Sequence, residues 1–119
     1  DFSYVEDTVN GFIEISSSDV TVGEVINIGS NYEISIEDTA KLIAEVMNVD
    51  IDFETETDRL RPEKSEVFRL WCDNSKAKKI LNWQPKFHGR NGLKEGLKKT
   101  IEWFTDRENT QQYKQGYTI

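Results

Sequence analysis

The sequence predicts a small mixed α/β domain of short strands and three to four helices, and three segments carry that expectation. Ser35 and Asp38 form a capping box, and Ile36, Ala40, Ile43, Val46 and Met47 then recur at helical spacing up to Asn48. The run Val25-Ile26-Asn27-Ile28 is short, β-branched and nearly all apolar, and it closes on Gly29-Ser30-Asn31, as a buried strand delivering a loop does. Ile51, Phe53 and Thr55 alternate with Asp52, Glu54 and Glu56, the period of a strand with one solvated face.

The other elements follow in order. Phe2, Tyr4 and Val5 read as the end of a strand, and Asp7 or Thr8 can cap a helix whose Val9, Phe12, Ile13 and Ile15 fall mostly on one face. Asp73 is placed to cap a short helix through Ile80 and Leu81. That helix stops at Asn82-Trp83-Gln84-Pro85, where proline removes a donor and biases its predecessor away from helix. A last helix carries Leu93, Leu97, Ile101 and Phe104 on one stripe, with Trp103 beside it. Residues 1–106 are read as one domain and residues 107–119 as a polar tail without a strong period. Trp83 and Trp71 are expected to lid the small core.

A chain of 119 residues is long enough to bury about two thirds of its unfolded surface without disulfides. The lone Cys72 supplies neither a disulfide framework nor a metal set, which points to a reducing, cytoplasmic compartment. Twenty-two acidic residues against fifteen Lys and Arg give a net charge of −7, which argues against a nucleic-acid partner held by a broad basic face. No apolar run approaches the roughly eighteen residues that cross a bilayer, so no membrane partner is expected. The chain opens directly in patterned sequence at Asp1-Phe2-Ser3-Tyr4-Val5, as expected of a piece of a longer protein.

Against the acidic background, the stretch from Arg59 to Arg69 gathers Arg59, Arg61, Lys64 and Arg69. A local cluster of this kind suits one anionic group, such as a phosphate. Arg61 has an alternative role in a surface ion pair with Asp58 or Glu63. Asn27, polar in an apolar run, can turn its amide toward the same anion or make a hydrogen bond within the fold. The lone His88 reads as a loop residue, and Glu37-Asp38 and Asp50-Asp52 as a capping turn and a solvated strand face. The glycines never form Gly-x-Gly-x-x-Gly or a P-loop, so no dinucleotide cradle is present.

The opening Asp-Phe-Ser-Tyr-Val-Glu-Asp-Thr-Val, the run Val25 to Ser30, the helix after Ser35, the Arg-x-Arg-Pro loop at 59–62 and the stretch Asp73 to Pro85 together resemble a known family. That family is the extended short-chain dehydrogenase/reductases, NAD-dependent nucleotide-sugar epimerases and 4,6-dehydratases, and the resemblance is to their C-terminal part. Arg-Pro-Glu-Lys-Ser-Glu-Val and Leu-Trp-Cys-Asp-Asn-Ser-Lys-Ala look most like the legionaminic-acid-type N-acetylglucosamine nucleotide 4,6-dehydratases. The resemblance implies that an N-terminal Rossmann domain holds NAD and the Tyr-x-x-x-Lys pair, while this domain holds the nucleoside-diphosphate sugar. It assigns Arg61 to the substrate pyrophosphate and Glu66 to a ribose hydroxyl. The family's usual Gly-Asp after Arg-Pro is here Glu63-Lys64-Ser65-Glu66. No Tyr-x-x-x-Lys occurs: Tyr4 is followed by Thr8, Tyr32 by Ile36 and Tyr113 by Tyr117. The expectation is a substrate-binding domain of a 4,6-dehydratase, inactive without its Rossmann domain and able to self-associate as a homodimer. The alternatives are the same domain of a 4-epimerase and a stand-alone acidic protein-interaction module.

Overall fold

The computed structural model describes residues 1–54 and 67–111. In chain order the helices are α1 (Val5–Ser16), a 3-10 turn (Asp19–Thr21), α2 (Ile36–Met47), α3 (Ser75–Leu81), α4 (Gly89–Thr105) and α5 (Arg107–Thr110). Among the described residues no strand forms, which corrects the expected mixed α/β arrangement. Residues 25–28 and 51–54 have no regular secondary structure, and no described backbone hydrogen bond pairs 25–28 with another segment. A period of two marks which side chains share a face, but a strand also needs a neighbour for its N–H and C=O groups.

Local signals place α2 well. Ser35 Oγ accepts the Asp38 N–H at 2.9 Å and donates to Asp38 Oδ2 at 2.7 Å, and Asn48 ends the helix in the left-handed region at φ 54°. For α3 the cap shifts by one residue: Asn74 is the N-cap, and Asp73 Oδ1 accepts the Ser75 N–H at 2.9 Å. The first residues of the predicted polar tail form α5, where Asp106 accepts the Glu108 N–H.

The core lies between α2, α4 and the 83–87 turn, where Leu42 is 1 % exposed and Ala77, Trp83 and Phe87 are buried. Across α2 and α4, Glu45 takes both Lys94, at 2.5 Å, and Arg90, at 3.2 Å. Trp83 fills the core as predicted, whereas Trp71 is 60 % exposed. Trp103 and Phe104 also remain substantially exposed on α4.

Helix α1 is turned over relative to its sequence reading. Asp7 and Asn10, three apart and so on one face, both bond the 83–87 turn, Asp7 buried and Asn10 exposed at the edge. Asp7 accepts the N–H groups of Lys86 and Phe87 at 2.8 and 2.9 Å, and Asn10 Oδ1 accepts the Trp83 indole N–H at 2.9 Å. Asp7 is therefore no helix cap; the N-cap position is Tyr4, without a side-chain bond. Next to them, Gly11 is buried against Ile28, and an added Cβ there would lie 2.6 Å from Ile28 Cγ2. The opposite stripe, Val5, Val9, Phe12 and Ile13, lies open to solvent.

Candidate functional site

Two chain segments far apart in sequence are fastened together around Asp1. Its Oδ1 accepts both the N–H of Ser30, at 3.1 Å, and its hydroxyl, at 2.6 Å, while Oδ2 accepts the Cys72 N–H at 3.1 Å. The Asp1 nitrogen donates to the Leu70 carbonyl at 2.8 Å. Asn74 Nδ2 adds a bond to the Gly29 carbonyl at 2.9 Å. The approach is close enough to require glycine at 29, since a Cβ there would sit 2.5 Å from Cys72 Sγ. The loop after the apolar run 25–28 is thus held against residues 70–74.

A third tie involves the last cation of the Arg-rich stretch. Arg69 Nε and Nη2 donate to Glu33 Oε1 and Oε2, both at 2.6 Å, a two-pronged pair. The bond from Arg69 holds the Glu33 carboxyl below its usual range, and Glu33 raises the Arg69 guanidinium in turn. Arg69 is therefore spent on a partner inside the fold.

Asn27, named from the sequence, lies exposed on the rim of an open groove of about 560 Å³ shared with Asp1, Phe12, Ile28 and Trp71. Its amide nitrogen reaches the Asp73 carbonyl at 3.4 Å, a long bond that leaves most of the side chain's capacity unspent. Arg61 and Glu66 lie outside the described residues, as do Asp58 and Glu63. The structure brings Asn27 to the segment that follows Glu66, and it adds Asp1, Ser30, Glu33 and Asn74, which sequence reasoning did not single out. Only Glu33 had a visible signal, a carboxylate in the loop after a Gly-Ser-Asn turn.

Cys72, half-buried beside Gly29, has its thiol pKa pushed up by burial and by the nearby Asp73, as suits an unreactive side chain. His88 is exposed at the start of α4. Among the described residues no group of three or more His, Cys, Asp or Glu side chains converges as metal ligands. None of the described helices is long and apolar enough to cross a membrane.

Four of the described glycines are closed off by the chain itself. Added Cβ atoms at Gly11, Gly29, Gly92 and Gly96 would meet Ile28, Cys72, the Phe87 backbone and Tyr4, so these residues serve packing inside the chain. None belongs to the Gly-x-Gly-x-x-Gly turn that brings backbone amides to a pyrophosphate.

Comparison with known proteins places the geometry in context. The GDP-mannose 4,6 dehydratase family matches residues 1–96. A UDP-glucuronate 4-epimerase of Thermodesulfobacterium geofontis is 36% identical over 104 residues, which cover 87% of this chain and 29% of that protein. The human dTDP-D-glucose 4,6-dehydratase is 33% identical over 118 residues, covering 95% of this chain and 31% of its own length. A trifunctional Arabidopsis thaliana protein, whose activities include UDP-glucose 4,6-dehydratase, is 35% identical over 87% of this chain and 14% of its own length. The chain spans less than a third of the length of these relatives. No solved structure matches it.

Proposed function

We propose a role for a chain that belongs to the GDP-mannose 4,6 dehydratase family: it holds the nucleoside diphosphate of a nucleotide sugar for an NAD-dependent 4,6-dehydratase. The observation that carries this reading is the junction around Asp1, which sets Asn27 beside the chain that leaves the Arg-rich stretch. In the proposed role Arg61 grips the pyrophosphate with its planar set of donors, Glu66 accepts from a ribose hydroxyl and Asn27 offers its amide to the same phosphates.

NAD and the chemistry at the sugar ring belong, on this reading, to a Rossmann domain elsewhere in the same parent protein. This chain supplies binding and no catalytic step. The open α1 stripe of Val5, Val9, Phe12 and Ile13 supports a partner of that kind, because so much apolar surface along one helix face is normally covered. The same stripe supports self-association when the chain stands alone. A cytoplasmic setting accords with an unpaired, half-buried Cys72.

A second reading, the same domain in a nucleotide-sugar 4-epimerase, is favoured by the 36% identity to a UDP-glucuronate 4-epimerase. Both readings use the same grip on the diphosphate. The finer assignment to an N-acetylglucosamine nucleotide rests on two stretches of sequence alone, Arg61 through Val67 and Leu70 through Ala77.

Calorimetry with UDP, dTDP and GDP against the corresponding nucleosides tests the role. Binding of at least one diphosphate, with none by its nucleoside, is the expected result. No binding by any of the three diphosphates overturns it.

A further inference from the structure

The geometry points to a second binding site, for the phosphate group of a small phosphate monoester, in the crevice between the loop 30–32, α3 and the start of α4. The crevice measures about 290 Å³, and Asn27 is not among the residues that line it. The site goes beyond the proposed function and does not rest on it, because its ligand is a free monoester. Three observations carry the inference.

The first is the set of donors. Tyr32, Lys78, Gln84 and His88 line the crevice from separate parts of the chain, and no described bond uses the Tyr32 hydroxyl, the Lys78 ammonium, the Gln84 side-chain amide or the His88 ring. A phosphate monoester brings three strong acceptor oxygens and about two negative charges at neutral pH. An ammonium, an amide NH₂, a hydroxyl and a ring N–H together offer donors enough for all three oxygens.

The second is charge. The chain carries a net charge of −7, yet none of the described residues lining this crevice is acidic. By contrast, Asp1 lines the groove at Asn27, and Glu33 and Asp38 line the hollow at the start of α2. Lys76 is held by Glu24 at 2.6 Å, whereas Lys78, two residues on, has no described carboxylate partner. An open cation in an acidic surface suits one compact anion, since a long polyanion meets repulsion beyond it.

The third is the frame under the donors. Ser30 is 5 % exposed and bonded to Asp1, and its hydroxyl oxygen also accepts the Tyr32 N–H at 3.2 Å. On the facing side Asn74 is tied to the Gly29 carbonyl at 2.9 Å, and Pro85 is buried. The backbone that presents the donors is thus held before a ligand arrives, which lowers the ordering cost of binding. Lys78, Gln84 and His88 are themselves exposed, so a ligand reaches them from solvent. Their charge is screened for the same reason, and the expected affinity is modest.

The test is an NMR titration of the ¹⁵N-labelled chain with glycerol 3-phosphate at constant ionic strength, with glycerol as the neutral control. Saturable shifts of the Tyr32 and His88 amides are expected at a Kd of about 1 to 10 mM, and none with glycerol. Lys78→Gln is expected to weaken binding about tenfold and Tyr32→Phe about threefold. Lys79→Gln removes the same charge from the same helix at a residue that does not line the crevice, and it is expected to stay within twofold of wild type. Both lysines are exposed, and circular dichroism checks that the variants fold. No saturable shift up to about 50 mM ligand overturns the site. So do equal shifts with glycerol, or saturable shifts confined to residues outside the crevice. Equal losses in Lys78→Gln and Lys79→Gln overturn it as well, because binding then follows overall charge and not the crevice.

Discussion

Asp7 and Phe87, eighty residues apart, are joined inside the protein: the Phe87 N–H donates to Asp7 Oδ2 at 2.9 Å, and the adjacent Lys86 N–H donates to Oδ1 at 2.8 Å. Asp7 is 6 % exposed and has no described ion-pair partner, so two backbone donors alone compensate its burial. Asp7→Ala leaves both donors without an acceptor. The expected cost is about 2 to 3 kcal/mol, on the scale of hydrogen bonds to a charged group, read as a lower urea midpoint with an unchanged slope. Asp7→Asn, which keeps one acceptor oxygen, is expected to lose less.

The same turn is pressed by α4. A Cβ on Gly92 would overlap the Phe87 carbonyl carbon, which cannot move without shifting the donors that Asp7 holds. Alanine ordinarily favours a helix interior by about 1 kcal/mol over glycine. Here the clash dominates, and Gly92→Ala is expected to destabilise the chain by about 1 to 3 kcal/mol in thermal or urea unfolding. Gly89, at φ 66° with open space around its missing Cβ, bears only the backbone cost of alanine, about 1 kcal/mol.

These two sites show what the sequence made legible and what it did not. The cap of α2 and the burial of Trp83 follow from neighbours within a few residues, and both appear as read. The packed face of α1 does not, because the partners of Asp7 and Asn10 are Trp83, Lys86 and Phe87, more than seventy residues away. An apolar stripe shows that a face avoids water, but not which chain covers it. The expected strands failed for a similar reason: Val25 to Ile28 has the composition of a strand but no described ladder partner. The cluster from Arg59 to Arg69 was visible at once, yet nothing local indicated that Arg69 belongs to Glu33.

The open stripe on α1 gives a concentration-dependent prediction. Phe12 is 66 % exposed at its centre, and burying such a side chain in an interface is worth about 1.5 to 3 kcal/mol. Light scattering is expected to show self-association of the isolated chain, and Phe12→Glu to weaken it at least about tenfold. A clean monomer at high concentration contradicts the partner-covered face.

Acid titration isolates the Glu33–Arg69 pair. Glu33, Glu45 and Glu24 each titrate below their ordinary value of 4.5, first because a cation donates to them: Arg69, Lys94 and Lys76. A lowered folded pKa means the unfolded chain takes up protons first. The contribution is therefore full above the ordinary carboxylate value and is lost as pH falls through the lower folded one. All three pairs are exposed, and each contribution is small. In Arg69→Gln, an NMR titration is expected to show the Glu33 midpoint rising into the ordinary range while Glu45 stays low. A Glu33 midpoint that does not move means the fork is absent in solution.

The grip of Arg61 on a diphosphate is the claim on which the functional account turns, and calorimetry of wild type against Arg61→Ala measures it directly. With UDP, dTDP and GDP as probes, the account predicts that the substitution removes about 1.5 to 3 kcal/mol of binding, the scale of a hydrogen bond to a charged group, with folding unchanged by circular dichroism. Equal diphosphate affinity in the two proteins contradicts it.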